Sequence, residues 1–379
     1  MFQKIDPTVI TRIFIPLLFA PLVVAPSGCT SDERTNVGAG HNQFVMGGYR
    51  GNETLAMLLP KSGCFAQAAE TVRAGIVAAQ KADPQKRRPK LRFYDSTADS
   101  IIVLVRQAAA DGATLAIGPL QKPALEELAG LSVLPIPVLA MNQLSVAIKP
   151  RNLYQFALAP ESEVATVVDE ARAKRYRRAV ILYPENDWGD RMVRAFHRQW
   201  KTRGGIIVAT QAFDPLAEDF SDTVERLSKR VARPDFVFLV ATSKLAHKIW
   251  PWLRDDIAKR VPIYSTSHIY SGRFDPKSDK NLVGLNFVEI PWLIKPTRGD
   301  AVSSIGLKKD LPRLYAMGVD AYRLGSRLNW MSRNRRARVQ GKTGVLSMDS
   351  QRRIHRMLTP AHISTNGPRP YWRSPGRRN

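Results

Sequence analysis

From Leu55 onward, short continuous apolar runs alternate with longer segments that are apolar along one face. LAMLLP (55–60), LRFYD (91–95), TLAIGPL (114–120), PVLAMN (137–142) and YQFALAP (154–160) have the length of strands. Runs of this kind predict strands covered on both faces, as in parallel sheets. Between them, residues 66–81 space Val72, Ile76 and Ala79 along one helical face. Residues 101–111 predict a helix stopped by Gly112, and residues 124–131 a shorter one.

The series then repeats. A helix over 161–174 leads to the strand AVILYPE (179–185), and a helix over 188–202 is stopped by Gly204-Gly205. The strand IIVATQAF (206–213), a helix over 221–230 and the strand DFVFLVAT (235–242) follow. A helix over 244–259, tolerating Pro251, precedes the strand PIYSTS (262–267). Two such series predict two α/β lobes, each a doubly wound parallel sheet, joined by a hinge. The expected division is 54–158 with 273–335 for lobe 1, and 159–272 with 336–362 for lobe 2. Within it, LVGLNFVEIPWLI (282–294) reads as strand and loop. Residues 314–330 read as one long helix, and 341–354 as a strand pair with a turn. Residues 29–53 are polar and Gly-rich, a flexible tether, and residues 363–379 read as a disordered basic tail.

The first thirty residues follow another pattern. Lys4 and Arg12 precede the apolar run IFIPLLFAPLVVA (13–25), and Pro26-Ser27-Gly28 ends it just ahead of Cys29. A basic start, an apolar middle and a small-residue exit make residues 1–28 an export signal. The run falls short of the ~20 apolar residues that span a bilayer. A cysteine directly after small residues resembles a bacterial lipoprotein signal, which implies lipidation at Cys29, palmitate included. Pro26 stands where that signal usually carries Leu; the alternative is an ordinary signal peptide with an incidental cysteine. Thr30 follows the cysteine in place of Asp, which in the lipoprotein reading implies the periplasmic face of the outer membrane.

A chain of 379 residues, 44% hydrophobic, can bury a large core. With Cys29 lipidated, the second cysteine, Cys64, has no partner and no internal disulfide is expected. The net charge of +24 suggests nucleic acid first, but export argues against it. Anionic lipid head groups, cell-wall polymer or an acidic partner face remain, with a merely Arg-rich composition as the plain alternative. Arg172, Lys174, Arg175, Arg177 and Arg178 sit at a helix C-terminus, where cations are favourable anyway. The cluster Arg333, Arg335, Arg336 and Arg338 is denser.

Several strings occur in a fixed order: LLPKSGCFAQAAETVRAGI, FYDST, DGATLAIGPLQK, PVLAMN, YPENDWGDRMVRAFHRQW, YSTSHIYSG, GVDAYRLGSRL and GKTGVLSMD. This order resembles type I periplasmic binding proteins. More closely, it resembles the penicillin-binding protein activator family, outer-membrane lipoproteins that stimulate class A peptidoglycan synthases. The resemblance covers residues 53–358, and GPLxK, NDWG, SHIYSG and GVDAYRL are its more specific strings. The best-known activators carry a helical-repeat domain ahead of this fold, for which the tether leaves no room. The resemblance implies a non-enzymatic activator of a class A penicillin-binding protein, acting by protein contact, anchored to the outer membrane by its N-terminal lipid. Peptidoglycan is a candidate further contact; no cofactor, metal or nucleic acid is expected. The competing expectation is a solute-binding lipoprotein holding a small polar ligand between the lobes.

In such folds the cleft is lined by loops at strand C-termini and by the helix N-termini that follow, where free backbone N–H groups point. Here those loops hold Ser62 and Gly63; Gly118, Pro119, Leu120 and Lys122; Asn142; Asp187 and Trp188; and Ser267, His268 and Tyr270. Amino-acid binders of the superfamily place small hydroxyl residues after the third strand, whereas residues 120–123 are Leu, Gln, Lys and Pro. Ser62 fits a helix N-cap better than a nucleophile, since no GxSxG elbow surrounds it. Asp187 and Trp188 read as ligand contacts or as a helix cap and an apolar staple. His268 reads as a cleft residue or a structural hydrogen-bonding one. The six histidines show no metal-binding spacing.

Overall fold

The computed structural model describes residues 48–230, 234–296 and 311–371. The signal segment, Cys29, the tether as far as residue 47 and the tail from residue 372 lie outside the described residues. The first series comprises β1 (Thr54–Leu59), α1 (Ala66–Ala82), β2 (Lys90–Asp95), α2 (Ile101–Ala110), β3 (Leu115–Ile117), α3 (Lys122–Gly130), β4 (Val138–Ala140) and β5 (Leu153–Phe156). The second comprises α4 (Pro160–Ala173), β6 (Arg178–Pro184), α5 (Asp187–Thr202), β7 (Ile206–Phe213), α6 (Ser221–Arg230), β8 (Phe236–Leu239), α7 (Ser243–Asp255), α8 (Ile257–Arg260), β9 (Ile263–Ser265), β10 (Asn286–Glu289) and α9 (Pro291–Ile294). The chain then forms α10 (Pro312–Gly325), α11 (Leu328–Arg333), β11 (Val339–Gln340), β12 (Val345–Met348), β13 (Arg353–Met357), β14 (Thr359–Ser364) and β15 (Gly367–Pro370).

Among the described residues these strands make two sheets. One runs β11-β12-β13-β5-β4-β3-β1-β2 and the other β15-β14-β10-β9-β8-β6-β7. The apolar runs explain both. In β1, Leu55, Met57 and Leu59 face one core while Ala56 and Leu58 face another. Continuing through β8, Phe236, Phe238 and Val240 alternate with Val237, Leu239 and Ala241 in the same way. A strand buried on both faces is apolar at nearly every position, and each large aliphatic or phenylalanine side chain so buried contributes about 1.5–3 kcal/mol.

The expected division between the lobes is corrected at two places. β10 lies parallel to β9, so residues 286–289 stay with lobe 2 rather than returning to lobe 1. β13 lies parallel to β5, so residues 339–357 complete the sheet of lobe 1 rather than that of lobe 2. Order also begins before residue 54. Tyr49 is buried, its ring against Tyr322 and its hydroxyl donating to the Tyr322 carbonyl at 2.7 Å. Part of the expected disordered tail is strand: β14 and β15 form an antiparallel hairpin on the edge of β10. The long helix expected over 314–330 is two helices, parted where α10 ends at Gly325 against the Tyr49 hydroxyl.

α1 and α10 lie against each other along their length. Their backbones meet at two glycines. A Cβ on Gly75 would stand 2.2 Å from the Tyr315 carbonyl oxygen, and one on Gly318 would stand 2.1 Å from that of Val72. This contact fixes the returning segment of chain onto lobe 1.

Candidate functional site

A cavity of about 610 Å³ opens at the C-terminal ends of the lobe 2 strands. Thr242, which caps α7, supplies one wall together with Ser243 and Lys244. The 3-10 turn after β9 supplies Ser267, His268, Tyr270 and Ser271. Leu158 and Glu163 come from the crossing into α4, and Arg313 and Leu314 from the first turn of α10, which belongs with lobe 1.

Beneath this cavity lies a network of buried charges. The Glu163 carboxylate accepts the Ser267 N–H at 2.9 Å and the Ser267 hydroxyl at 3.0 Å. The Arg356 guanidinium, brought in by β13, stands 3.7 Å from the same carboxylate, and His268 Nδ1 also stands 3.7 Å away. Glu289, at the end of β10, is fully buried and is clasped by both prongs of Arg313, with Nε at 3.1 Å from Oε1. Arg313 Nη2 also donates to the carbonyls of Ser267 at 3.1 Å and Tyr270 at 2.9 Å. Burial works against the charge on Arg313, but the Glu289 carboxylate outweighs it and holds the guanidinium pKa above its ordinary value. Thus two cations carried by lobe 1 elements are set into carboxylates of lobe 2. The nitrogens of Arg356 make no hydrogen bond among the described residues.

His268 forms the floor between network and cavity. Its ring meets that of Trp188, centroids 5.5 Å apart, and Nδ1 lies 3.1 Å from the Thr266 hydroxyl. Burial pushes its pKa below the ordinary 6.5, with Glu163 opposing and Arg313, Arg356 and Arg191 reinforcing. The folded state therefore resists protonating this ring. Its contribution to stability is complete above about pH 6.5 and is lost as pH falls from there through the folded-state pKa. His247 acts in the opposite sense: Asp279 raises its pKa, so its contribution is lost as pH rises. His268→Gln is expected to flatten the acid-side loss while leaving the His247 effect in place. Urea unfolding on either side of pH 6.5 checks this; an unchanged acid limb would remove His268 from the account.

Of the sequence-predicted cleft residues, the cavity takes in Ser267, His268 and Tyr270, and Trp188 lies just behind His268. Asp187 is exposed at the start of α5; the helix is capped instead by Asn186, which accepts the Gly189 N–H at 2.9 Å. The lobe 1 residues do not line this cavity. Ser62 is exposed, 3.1 Å from the Thr97 hydroxyl, and does not cap α1, whose N-cap position is Phe65. Gly63 has a positive φ of 77° in the same turn. Gly118 packs against β1 so closely that a Cβ would stand 2.1 Å from the Leu58 oxygen. Pro119 and Leu120 are buried, and Asn142 braces their loop by donating to the Leu120 carbonyl at 2.9 Å. Lys122 is largely exposed and reaches Glu126 at 3.9 Å.

Sequence reasoning missed Glu163, Glu289, Arg313 and Arg356, which come from four separate elements and share no local pattern. It also missed what its own strings do. Asp320 of GVDAYRL, fully buried, accepts the N–H groups of Lys342 and Thr343 at 2.7 Å and the Thr343 hydroxyl at 2.6 Å. Lys342 and Thr343 belong to GKTG, so two of the strings are the halves of one lock. SHIYSG supplies the groups that Glu163 and Arg313 bind.

Two α/β lobes with mainly parallel sheets, a chain that crosses between them repeatedly, and a cavity at strand C-termini define a type I periplasmic-binding fold. The family model described as "LppC putative lipoprotein" matches residues 51–365, and the chain belongs to that family. Penicillin-binding protein activator LpoA of Escherichia coli K12 is 27% identical over 310 residues, covering 71% of this chain and 46% of that protein. The chain thus spans about half the length of the curated relatives it matches. The solved LpoA (YraM) C-domain of Haemophilus influenzae, described as a regulator of PBP1A, superimposes with a TM-score of 0.73 at 22% identity, over 84% of this chain and 100% of that one. A structure from Chromobacterium violaceum described as a "putative branched-chain amino acid ABC transporter" gives 0.68 at 28% identity, over 82% and 100%.

Proposed function

We propose that this chain is a lipid-anchored activator of a class A penicillin-binding protein, held by Cys29 at the periplasmic face of the outer membrane. It docks on the synthase with its folded lobes and stimulates cell-wall synthesis by contact, without chemistry of its own. The observation that carries this reading is the match to proteins named penicillin-binding protein activators through 71% of the chain. The end-to-end fold match to one activator's C-domain supports it, and suggests that the bilobed part suffices for docking. A contact activator works by binding the active form of its target more tightly than the inactive one; equal affinity would shift nothing.

A second reading has its own support. The Chromobacterium violaceum structure and a roomy cavity with Thr242, Ser243 and Lys244 on its wall favour a solute binder. One experiment separates the two. The chain is added to a reconstituted class A synthase, and calorimetry is run against amino acids and cell-wall fragments. The expected result is binding to the synthase at low salt, a several-fold rise in transpeptidation and no sub-micromolar amino-acid ligand. An unchanged rate together with a tight amino acid would replace the activator by the solute binder.

A further inference from the structure

We infer that the end of lobe 1 where the chain enters the fold is a seat for an anionic phospholipid bilayer surface. This does not depend on the activator reading. Residues 49–51 enter against the end of α10 and against the 3-10 turn Gln85–Arg87, and each of these stretches leads into a basic segment. On one side, Tyr49 is hydrogen-bonded to Tyr322 near the end of α10, and the Arg327 charge lies close enough to act on its hydroxyl. α11 starts at the next residue and spans about 9 Å, and Arg333, Arg335, Arg336 and Arg338 follow along and after its last turn, all exposed. On the other side, Gly51 lies so close to the 3-10 turn Gln85–Arg87 that a Cβ would stand 2.2 Å from the Lys86 oxygen. Lys86 and Arg87 are exposed there.

Three observations favour a bilayer. The first is uncompensated charge. None of these six side chains has a carboxylate partner among the described residues; in the basic run of lobe 2 Lys174 pairs with Glu170, while Arg175 and Arg177 are exposed without one and so serve as matched controls. The second is the absence of an apolar anchor: none of the exposed large hydrophobic side chains belongs to either basic segment. A protein interface draws most of its affinity from buried aromatic and aliphatic anchors with a charged rim. A surface of charges alone suits a plane of phosphates, to which guanidinium forks bind two oxygens at once. The third is placement. This end holds the first residues of β1 and β2, Thr54 and Lys90, while the cavity lies at strand C-termini. Seating this end on a bilayer leaves the cavity end free. Tyr49 and Gly51, among the described residues nearest in sequence to Cys29, also belong to this end.

Each arginine at an anionic bilayer surface strengthens attachment about fivefold. The test has two parts. In the first, the lipidated chain is inserted into phosphatidylcholine vesicles with or without phosphatidylglycerol, and arginines are footprinted with phenylglyoxal. Arg335, Arg336 and Arg338 should be protected only with phosphatidylglycerol and only at low salt, while Arg175 and Arg177 stay reactive. In the second, the Cys29→Ser chain is partitioned onto phosphatidylglycerol vesicles. Arg333→Gln, Arg335→Gln and Arg336→Gln together should weaken the anionic-lipid-dependent part on the order of 100-fold. Lys174→Gln, Arg175→Gln and Arg177→Gln, which remove equal charge from lobe 2, should change it less than about twofold. Thermal melts confirm that both variants fold. Equal losses from the two variants would mean that net charge alone binds the vesicles, and the seat would be rejected. Protection of the 333–338 arginines by an added synthase but not by phosphatidylglycerol would assign the surface to a protein instead.

Discussion

Gly318→Val is expected to destabilise the protein by about 3 kcal/mol or more, and Gly318→Ala by a smaller but clear amount. A Cβ at residue 318 meets backbone, not a side chain that can swing away: the Val72 oxygen at 2.1 Å and its Cα at 3.1 Å. Relief requires α1 and α10 to separate, and Gly75 resists from the other side, its own Cβ position being filled by the Tyr315 oxygen. Helix propensity pulls the other way, since alanine gains up to about 1 kcal/mol over glycine inside a helix. The steric effect wins because it is paid across a whole helix pair. Urea unfolding of the two variants measures the outcome. A Gly318→Ala protein more stable than the parent would show that the helices are not in backbone contact.

Arg313→Met is expected to cost about 3–5 kcal/mol, because it leaves Glu289 buried without its cation. The loss is larger than for any surface pair in the chain. Arg203 with Asp169, for example, is half in solvent and adds at most about 1 kcal/mol. Arg313→Lys should recover part of it, lacking the fork that grips both carboxylate oxygens and two carbonyls at once. The double variant Arg313→Met with Glu289→Met should recover more, since an apolar pair leaves no buried charge stranded. A double-mutant cycle by urea unfolding tests the pairing. Additive losses would mean that the two residues do not interact.

The sheets were legible because burial on both faces forces continuous apolar runs, and β1 and β8 could hardly be read otherwise. The later points where the chain changes lobe were not legible. β10 and β13 carry ordinary strand sequences, and only pairing with β9 and β5 decides their sheet. Tyr49 looked like tether because a single aromatic among glycines has no periodicity; its burial depends on Tyr322, far along the chain. Of the expected cleft residues, Ser267, His268 and Tyr270 of lobe 2 line the cavity described above and those of lobe 1 do not. The rule that ligands sit at strand C-termini treats both lobes alike, yet Gly118 is packed against β1 and Asn142 braces the loop at Leu120, while Ser62 and Lys122 stand exposed. The groups that join the lobes are single charges from α4, β10, α10 and β13. An isolated Arg or Glu in an amphipathic stretch reads as solvated until its partner is seen. The ordered strings of the resemblance hold locks and close contacts of the fold, as Asp320 with Lys342 and Thr343 does.

The return of β13 to β5 and of β14 to β10 has a consequence for how the protein is made. Neither sheet can cover its inner edge until residues 353–364 arrive. A chain that emerges N-terminus first therefore cannot close either sheet until residues 353–364 have emerged. A product cut short before residue 353 would carry two unpaired strand edges, on β5 and β10, and Glu163 deprived of Arg356. Open edges of that kind invite pairing with other chains and attack by proteases. The last strands to be made are thus the ones on which the closure of both sheets depends.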